Sequence, residues 1–139
     1  MYRMWYTGFV AGQPVEDARS LEGKSVTVVF FSTEAGGEPV RQWLKSLPHD
    51  EDRKRIGADI KTVEFGWPLG MPLCRPLGDG IYEVRTHLTQ NRIARVLFHV
   101  DRKQQMVLLH GFIKKTQKTP NENLELARKN KSKHQQGER

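Results

Sequence analysis

What the 139-residue sequence lacks excludes several classes of protein. Cys74 is the only cysteine, so no disulfide can form within the chain and no cysteine-based zinc cluster can be built. No apolar run approaches the roughly 20 residues that cross a bilayer. No basic segment followed by an apolar one marks a signal peptide. We therefore expect a cytoplasmic protein with no membrane partner.

The spacings of common catalytic and metal sites are also missing. The five histidines show neither the HxxxH nor the HExxH spacing that places two metal ligands on one helix face. There is no glycine-rich phosphate loop, no GxSxG nucleophile turn and no cysteine–histidine protease signature. The sequence therefore predicts neither a metal site nor a cofactor.

Positive charge is what the sequence has in excess. Lysine and arginine together number 23 against 16 aspartate and glutamate residues, which gives a formal net charge of +7. Residues 114–139 hold eight of the basic residues and three of the acidic ones. Such a balance suggests a polyanionic partner such as nucleic acid, or an acidic protein. A basic protein with no such partner is the alternative.

The first half of the chain predicts one strand and two helices. Residues 26–31 are β-branched and aromatic, as in a buried strand. Pro39 suits the first turn of a helix, and apolar residues follow at i, i+3, i+4 and i+7 from Val40. Asp50 can cap a second helix, which Gly66 ends. The short connection between the two helices predicts an antiparallel hairpin.

The second half predicts a meander of four strands, at residues 73–77, 81–88, 93–100 and 106–113. A final helix begins near Thr119, which can cap it, with Pro120 at its first position and Glu122 in a capping box. The fold class is α+β, with the helices on one side of an antiparallel sheet of about four strands. Residues 1–24 are an extension of unknown role, 25–134 form the domain and 135–139 are a flexible tail.

Strand alternation places cations on one face of this sheet. Arg85 and Arg95 fall on the polar faces of two neighbouring strands, and Arg75 on the preceding strand can join them. Several cations on one face, with few acidic partners, suit a cradle for phosphate. The alternative is a solvated outer face.

Further candidates for substrate binding follow from position. Lys114, Lys115 and Lys118 come at the end of the last strand and beyond it. Tyr82 and Phe112 are aromatic residues that can stack on bases. Tyr82 lies on an apolar strand face, however, and core packing is the better interpretation for it.

Three segments together form a recognisable pattern. Residues 77–85 resemble an "L-x-D-G-I-Y-E-x-R" strand, and residues 94–98 resemble a "Y-R-V-x-F" strand with Ala94 in place of the aromatic residue. Residues 108–120 closely resemble the segment "L-L-H-G-F-x-K-K-T-Q-K-T-P". These patterns are those of the RelE/ParE toxin superfamily, in its HigB-like, phage-derived branch. The resemblance covers roughly residues 26–131.

The resemblance implies a RelE-like microbial ribonuclease fold. It implies a toxin of a type II toxin–antitoxin pair that cuts mRNA, usually on the ribosome, and that is neutralised by a HigA-like helix-turn-helix antitoxin. Arg85, Arg95 and Lys115 match the positions of catalytic cations, and no metal or cofactor is needed. Glu83 stands where relatives have a basic residue, which leaves the general base open. A ParE-like toxin acting on a protein such as gyrase, and a non-catalytic RNA-binding protein, are the alternatives.

Overall fold

The computed structural model describes residues 23–138, which form a mixed sheet with helices on both faces. The predicted extension therefore lies, up to residue 22, outside the described residues. None of the described helices is long and apolar enough to cross a membrane. The α+β class is confirmed. In chain order the elements are β1 (Thr27–Phe30), α1 (Pro39–Ser46), α2 (Asp50–Gly66), β2 (Cys74–Gly78), β3 (Ile81–His87), β4 (Ile93–Val100), β5 (Gln105–Lys114) and α3 (Asn121–Gly137).

The sheet has five strands in the order β1-β5-β4-β3-β2. Strands β2 to β5 form the predicted antiparallel meander. Strand β1 joins its far side in parallel with β5, where Thr27 pairs with Gln105. The predicted antiparallel sheet of about four strands is thus a mixed sheet of five. A parallel pairing between residues so far apart leaves no local signal in the sequence.

Helices α1 and α2 cover one face of the sheet and form the larger core with it. The strands present their β-branched and aromatic residues to this face in alternation, as predicted. Tyr82 also packs here, with its ring centre 4.8 Å from that of Trp67. The fully buried side chains of this core include Val40, Leu44, Ile56, Ile60, Val63, Val84, Val96, Phe98, Met106 and Leu108.

Helix α3 covers the other face. Ala127 is completely buried there against Leu97, Val107 and Leu109. The side-chain amide of Asn130 donates to the carbonyl of Leu109 at 2.9 Å. The prediction that helices lie on one side only was therefore wrong. The sequence of α3 is mostly polar, so its short apolar stripe does not indicate which face it covers.

A bulge in β5 changes which residues share a face. Leu97 pairs with His110, whereas the next residue, Phe98, pairs with Leu108. Leu109 is therefore the extra residue, and alternation reverses beyond it. Phe112 consequently packs on the α3 face and not on the face of Leu108.

The helix ends differ from their predicted positions in three respects. Asp50 is the first residue of α2 and His49 precedes it, with no side-chain cap. Helix α3 begins at Asn121, again without a side-chain cap. It continues to Gly137, past the predicted domain end at residue 134.

Candidate phosphate-binding site

Glu83, Arg85 and Arg95 form a buried group on the α3 face of the sheet, which we call the arginine–glutamate cluster. Arg85 and Arg95 lie directly opposite each other on β3 and β4. Arg85 Nη1 donates to Glu83 Oε1 at 2.9 Å, and Arg95 Nε lies 3.7 Å from Glu83 Oε2. Arg95 and Glu83 are 0% exposed and Arg85 is 6% exposed. One carboxylate therefore serves two buried guanidinium groups.

The loop between β5 and α3, residues 115–120, covers this cluster. Arg95 Nη2 donates to the carbonyl of Thr116. Arg85 donates to the carbonyl of Gln117 at 3.2 Å and to its side-chain oxygen at 2.9 Å. Arg75 Nη1 reaches the same carbonyl at 3.4 Å. Arg85 and Arg95 thus form neither an open cradle for phosphate nor a solvated face. Oxygen atoms of the loop accept their hydrogen bonds in place of water.

Thr119 anchors this loop to the cluster. Its hydroxyl donates to Glu83 Oε2, and the residue is buried. The predicted capping box at Thr119 and Glu122 was therefore wrong, since the hydroxyl bonds Glu83 across the sheet and not the backbone of α3. A local sequence pattern cannot reveal such a distant partner.

Arg95 is the least satisfied member of the cluster. Among the residues that the structure describes, its Nε and Nη1 atoms have no hydrogen-bond partner. The ring of Phe112 lies against its guanidinium, with 5.7 Å from Cζ to the ring centre. Burial lowers the pKa of Arg95, Glu83 opposes this shift, and Arg85 and Arg75 add to it. A buried charged donor without a partner is costly, so the position favours an anionic acceptor.

One known protein family matches more than half of the chain. Residues 42–132 match the family model described as Phage derived protein Gp49-like (DUF891). The chain belongs to this family. Gp49-like proteins are of RelE/HigB-like toxin type, associated with toxins of toxin–antitoxin pairs, and this type implies an antitoxin partner. No curated protein matches the chain.

The Gp49-like match includes the whole cluster and the loop that covers it. The arrangement has an excess of positive charge, because Glu83 faces Arg85, Arg95 and also Arg75, which lies opposite it on β2. A guanidinium presents a planar fork of donors that matches two phosphate oxygens. Glu83 is engaged by two arginines and Thr119, so its carboxylate holds the cluster together.

Of the other predicted site residues in this Gp49-like protein, some join the cluster and some do not. Phe112 lies under Arg95. Lys114, Lys115 and Lys118 are exposed and form no ion pair with the described residues. Tyr82 lies on the opposite face, packed between Trp67 and Phe98, so it does not share the site.

Sequence reasoning missed three residues of the site. The family pattern marks Glu83 only as a departure from relatives and does not indicate that it pairs with both arginines, although alternation places it on the same face as Arg85. Gln117 and Thr119 were missed because loop residues have no period that predicts their contacts.

A second group of side chains brings together atoms of the types that ligate metals, in a chain whose sequence predicts no metal site. One ligand atom each from Asp101, His134 and Glu138 lies within 4.8 Å of the others. Asp101 comes from the turn after β4, and the other two come from the end of α3. His134 and Glu138 lie four residues apart, and only the tertiary fold brings Asp101 close to them, so no spacing motif contains all three.

Proposed function

We propose that this Gp49-like protein is a HigB-like toxin that cleaves mRNA, usually on the ribosome, and thereby inhibits translation. Arg85 and Arg95 hold the scissile phosphate, and Arg75 adds positive charge beside them. The observation that carries this proposal is the buried Arg95, whose Nε and Nη1 atoms have no hydrogen-bond partner among the described residues, next to a second buried arginine.

The proposed chemistry needs fixed positive charge more than any cofactor. RNA is cleaved when its 2′-hydroxyl attacks the adjacent phosphorus in line and the 5′-oxygen leaves. Negative charge develops on the phosphorane, where preorganised donors stabilise it. Arg85 and Arg95 supply these donors in the proposal. Lys115 is assigned to catalysis, while Lys114 and Lys118 bind flanking phosphates.

The loop that covers the cluster must move away before a phosphate group of the substrate can reach Arg85 and Arg95. In the structure, the carbonyls of Thr116 and Gln117 accept hydrogen bonds from Arg95 and Arg85. A phosphate that replaces them offers charged acceptor oxygens in pairs, which match the planar fork of a guanidinium better than a single carbonyl does. The donors of Arg95 that lack a partner would gain one at the same step. RNA binding is therefore coupled to movement of residues 115–120.

The test is cleavage of mRNA by the purified protein in a translating extract, with the new 5′ ends mapped by primer extension. Arg95→Ala and Arg85→Ala are each expected to lower the rate by about 100- to 1000-fold, the usual cost of one transition-state donor. Lys54→Ala is the matched control. It removes one positive charge from an exposed position on α2.

Circular dichroism and thermal unfolding separate lost chemistry from lost folding in these variants. Arg95→Lys keeps the charge but not the planar fork, so we expect it to remain folded and to cleave slowly. Cleavage at the wild-type rate by folded Arg95→Ala and Arg85→Ala would overturn the proposal. Growth arrest without any new RNA ends would instead point to a ParE-like protein target.

A further inference from the structure

The corner where the turn after β4 meets the end of α3 holds four ionisable side chains. His134 Nε2 lies 3.0 Å from Asp101 Oδ2. Glu138, one helical turn beyond His134, contributes a carboxylate oxygen to the same group, whose ligand atoms lie within 4.8 Å of one another. This corner is distinct from the arginine–glutamate cluster, because Asp101 follows Arg95 by six residues, or roughly 20 Å of extended strand.

His99 is the second observation that points to a ligand here. Its side chain is 2% exposed, and its Nε2 atom is buried with no hydrogen-bond partner among the described residues. It lines the same pocket as Asp101 and Glu138, and its ring centre lies 5.4 Å from that of His134. Glu138 Oε2 is likewise buried without a partner in the part of the chain that is described. Two unpaired polar atoms in one pocket call for a common partner.

Hydrogen bonds from the backbone fix the orientation of the Asp101 carboxylate. Its Oδ1 atom accepts hydrogen bonds from the backbone N–H groups of Lys103 and Gln105, both at 2.9 Å. Its Oδ2 atom therefore faces His134. Hydrogen bonds of this kind orient a carboxylate before an ion arrives.

The pocket is lined by two basic and two acidic side chains. Lys131 and Arg102 also line it, and the carboxylates of Asp101 and Glu138 offset them. The ammonium of Lys131 donates to the carbonyl of Asp79, which holds it on the neighbouring turn. A cation between the two carboxylates therefore does not meet an uncompensated positive field.

We propose that Asp101, His134 and Glu138 bind a divalent first-row transition ion such as Zn²⁺, with the unpaired Nε2 atom of His99 in the pocket beside them. One imidazole nitrogen and two carboxylate oxygens form a set that Zn²⁺ accepts in sites where water takes the fourth position. The bound ion clamps the end of α3 to the turn after β4 and so stabilises the covering of this sheet face. His134 and Glu138 lie beyond the residues that match the Gp49-like family model.

The experiment is a titration of the tag-free, metal-stripped protein with Zn²⁺ against a chromophoric chelator. We expect one Zn²⁺ per chain and a higher Tm with the ion, because a ligand that binds only the folded state stabilises it. Co²⁺ in place of Zn²⁺ is expected to give the strong visible absorption of a tetrahedral site. His134→Gln and Glu138→Gln are each expected to weaken binding by at least about 10- to 100-fold, the loss that even outer-shell changes cause.

His49→Gln is the control, since His49 is exposed at the start of α2 and remote from the corner. Its affinity for Zn²⁺ is expected to equal that of the wild type. If His134 is only an ion-pair partner of Asp101, the wild type will bind no Zn²⁺, and that result overturns the proposal. Binding that is equally tight in His134→Gln and Glu138→Gln also overturns it.

Discussion

Glu83 is the residue on which the candidate site depends for its charge balance. It is completely buried between Arg85 and Arg95 and also accepts from Thr119. A buried ion pair adds little net stability, because desolvation offsets the attraction. Removal of one partner is different, since it leaves the remaining charges buried and unpaired. The carboxylate thus permits two arginines to exist in the interior of a small protein.

Glu83→Gln is expected to lower the free energy of unfolding by about 3–5 kcal/mol, the usual cost of breaking a buried ion pair. The measurement is urea denaturation followed by circular dichroism. Glu125→Gln is the control, because Glu125 pairs with Arg128 on the exposed surface of α3. Such surface pairs contribute about 0–1 kcal/mol. If Glu83→Gln lowers the free energy of unfolding no more than Glu125→Gln does, the buried carboxylate is not needed for stability.

Cys74 is expected to be unreactive in the folded protein. It is 0% exposed, and burial, with a smaller effect of Asp59, raises the pKa of its thiol from 9.0 to about 11. The reactive thiolate is therefore scarce at neutral pH. A thiol reagent should label the native protein slowly and the urea-unfolded protein rapidly. Rapid labelling under native conditions would mean that the edge strand β2 opens readily.

At the scale of elements, the bulge in β5 determines what lies under Arg95. Regular alternation from Leu108 would place Phe112 on the α1–α2 face. The extra residue at Leu109 places it on the α3 face, opposite Arg95 in the β4–β5 register. The one-residue bulge thus places the ring of Phe112 against the guanidinium of Arg95.

Close packing of α1 on β5 also constrains a single residue, Gly111. A Cβ atom there would lie 2.5 Å from two ring carbons of Trp43, which packs against the core. Gly111→Ala is expected to lower stability by about 1–3 kcal/mol through overpacking, as judged by thermal or urea unfolding. Gly70→Ala is the control, because no heavy atom lies within 4 Å of the position that its methyl group would take. A neutral Gly111→Ala would show that Trp43 can shift at little cost.

The sequence predicts elements well where local patterns decide them. Strand β4 at residues 93–100 and helix α2 at residues 50–66 occur as their patterns predict. The predicted turn at Asp79 and Gly80 is also present, with both residues at positive φ. The parallel pairing of β1, the face covered by α3 and the bulge at Leu109 depend on distant contacts, so no local pattern contains them.

In the candidate site, too, the sequence predicts what local patterns determine and does not predict what distant contacts determine. Alternation correctly places Arg85 beside Arg95, because both lie in regular strands. It cannot predict that residues 115–120 fold over them, since irregular loops have no period. It also cannot predict which face Phe112 takes, because a bulge leaves no mark in the pattern of apolar residues.

For the whole molecule, cleavage of RNA is expected to persist in excess EDTA. The proposed chemistry uses arginine charge, and the proposed ion site is remote from the arginine–glutamate cluster. The assay uses purified RNA, or ribosomes stabilised independently of free magnesium, well below the unfolding temperature. His134→Gln should cleave at the wild-type rate, which separates the clamp on α3 from the reaction. Activity that is lost in EDTA and restored by Zn²⁺ in the wild type would contradict the metal-independent mechanism.

The antitoxin that a toxin of this type implies is expected to bind through charge. Residues 114–139 carry eight basic and three acidic groups, and Lys114, Lys115 and Lys118 are exposed. A small acidic protein, of HigA-like type and encoded beside this one, should co-purify with it and restore growth. The rate of association should fall as salt is added, because screening weakens electrostatic steering. Salt-independent binding would place the interface away from these lysines.

The parallel pairing of β1 with β5 has a consequence for the order of assembly during synthesis. Strand β1 is made before the other described strands, yet the strand that pairs with it among the described residues is β5, which is made after β4. Closing so long a segment costs entropy that only the late contacts repay. The carbonyls of Thr116 and Gln117 that receive the arginine donors emerge later still. A chain that ends before β5 therefore leaves β1 and β4 without the strand that pairs with both, and it lacks the loop whose carbonyls accept hydrogen bonds from Arg85 and Arg95.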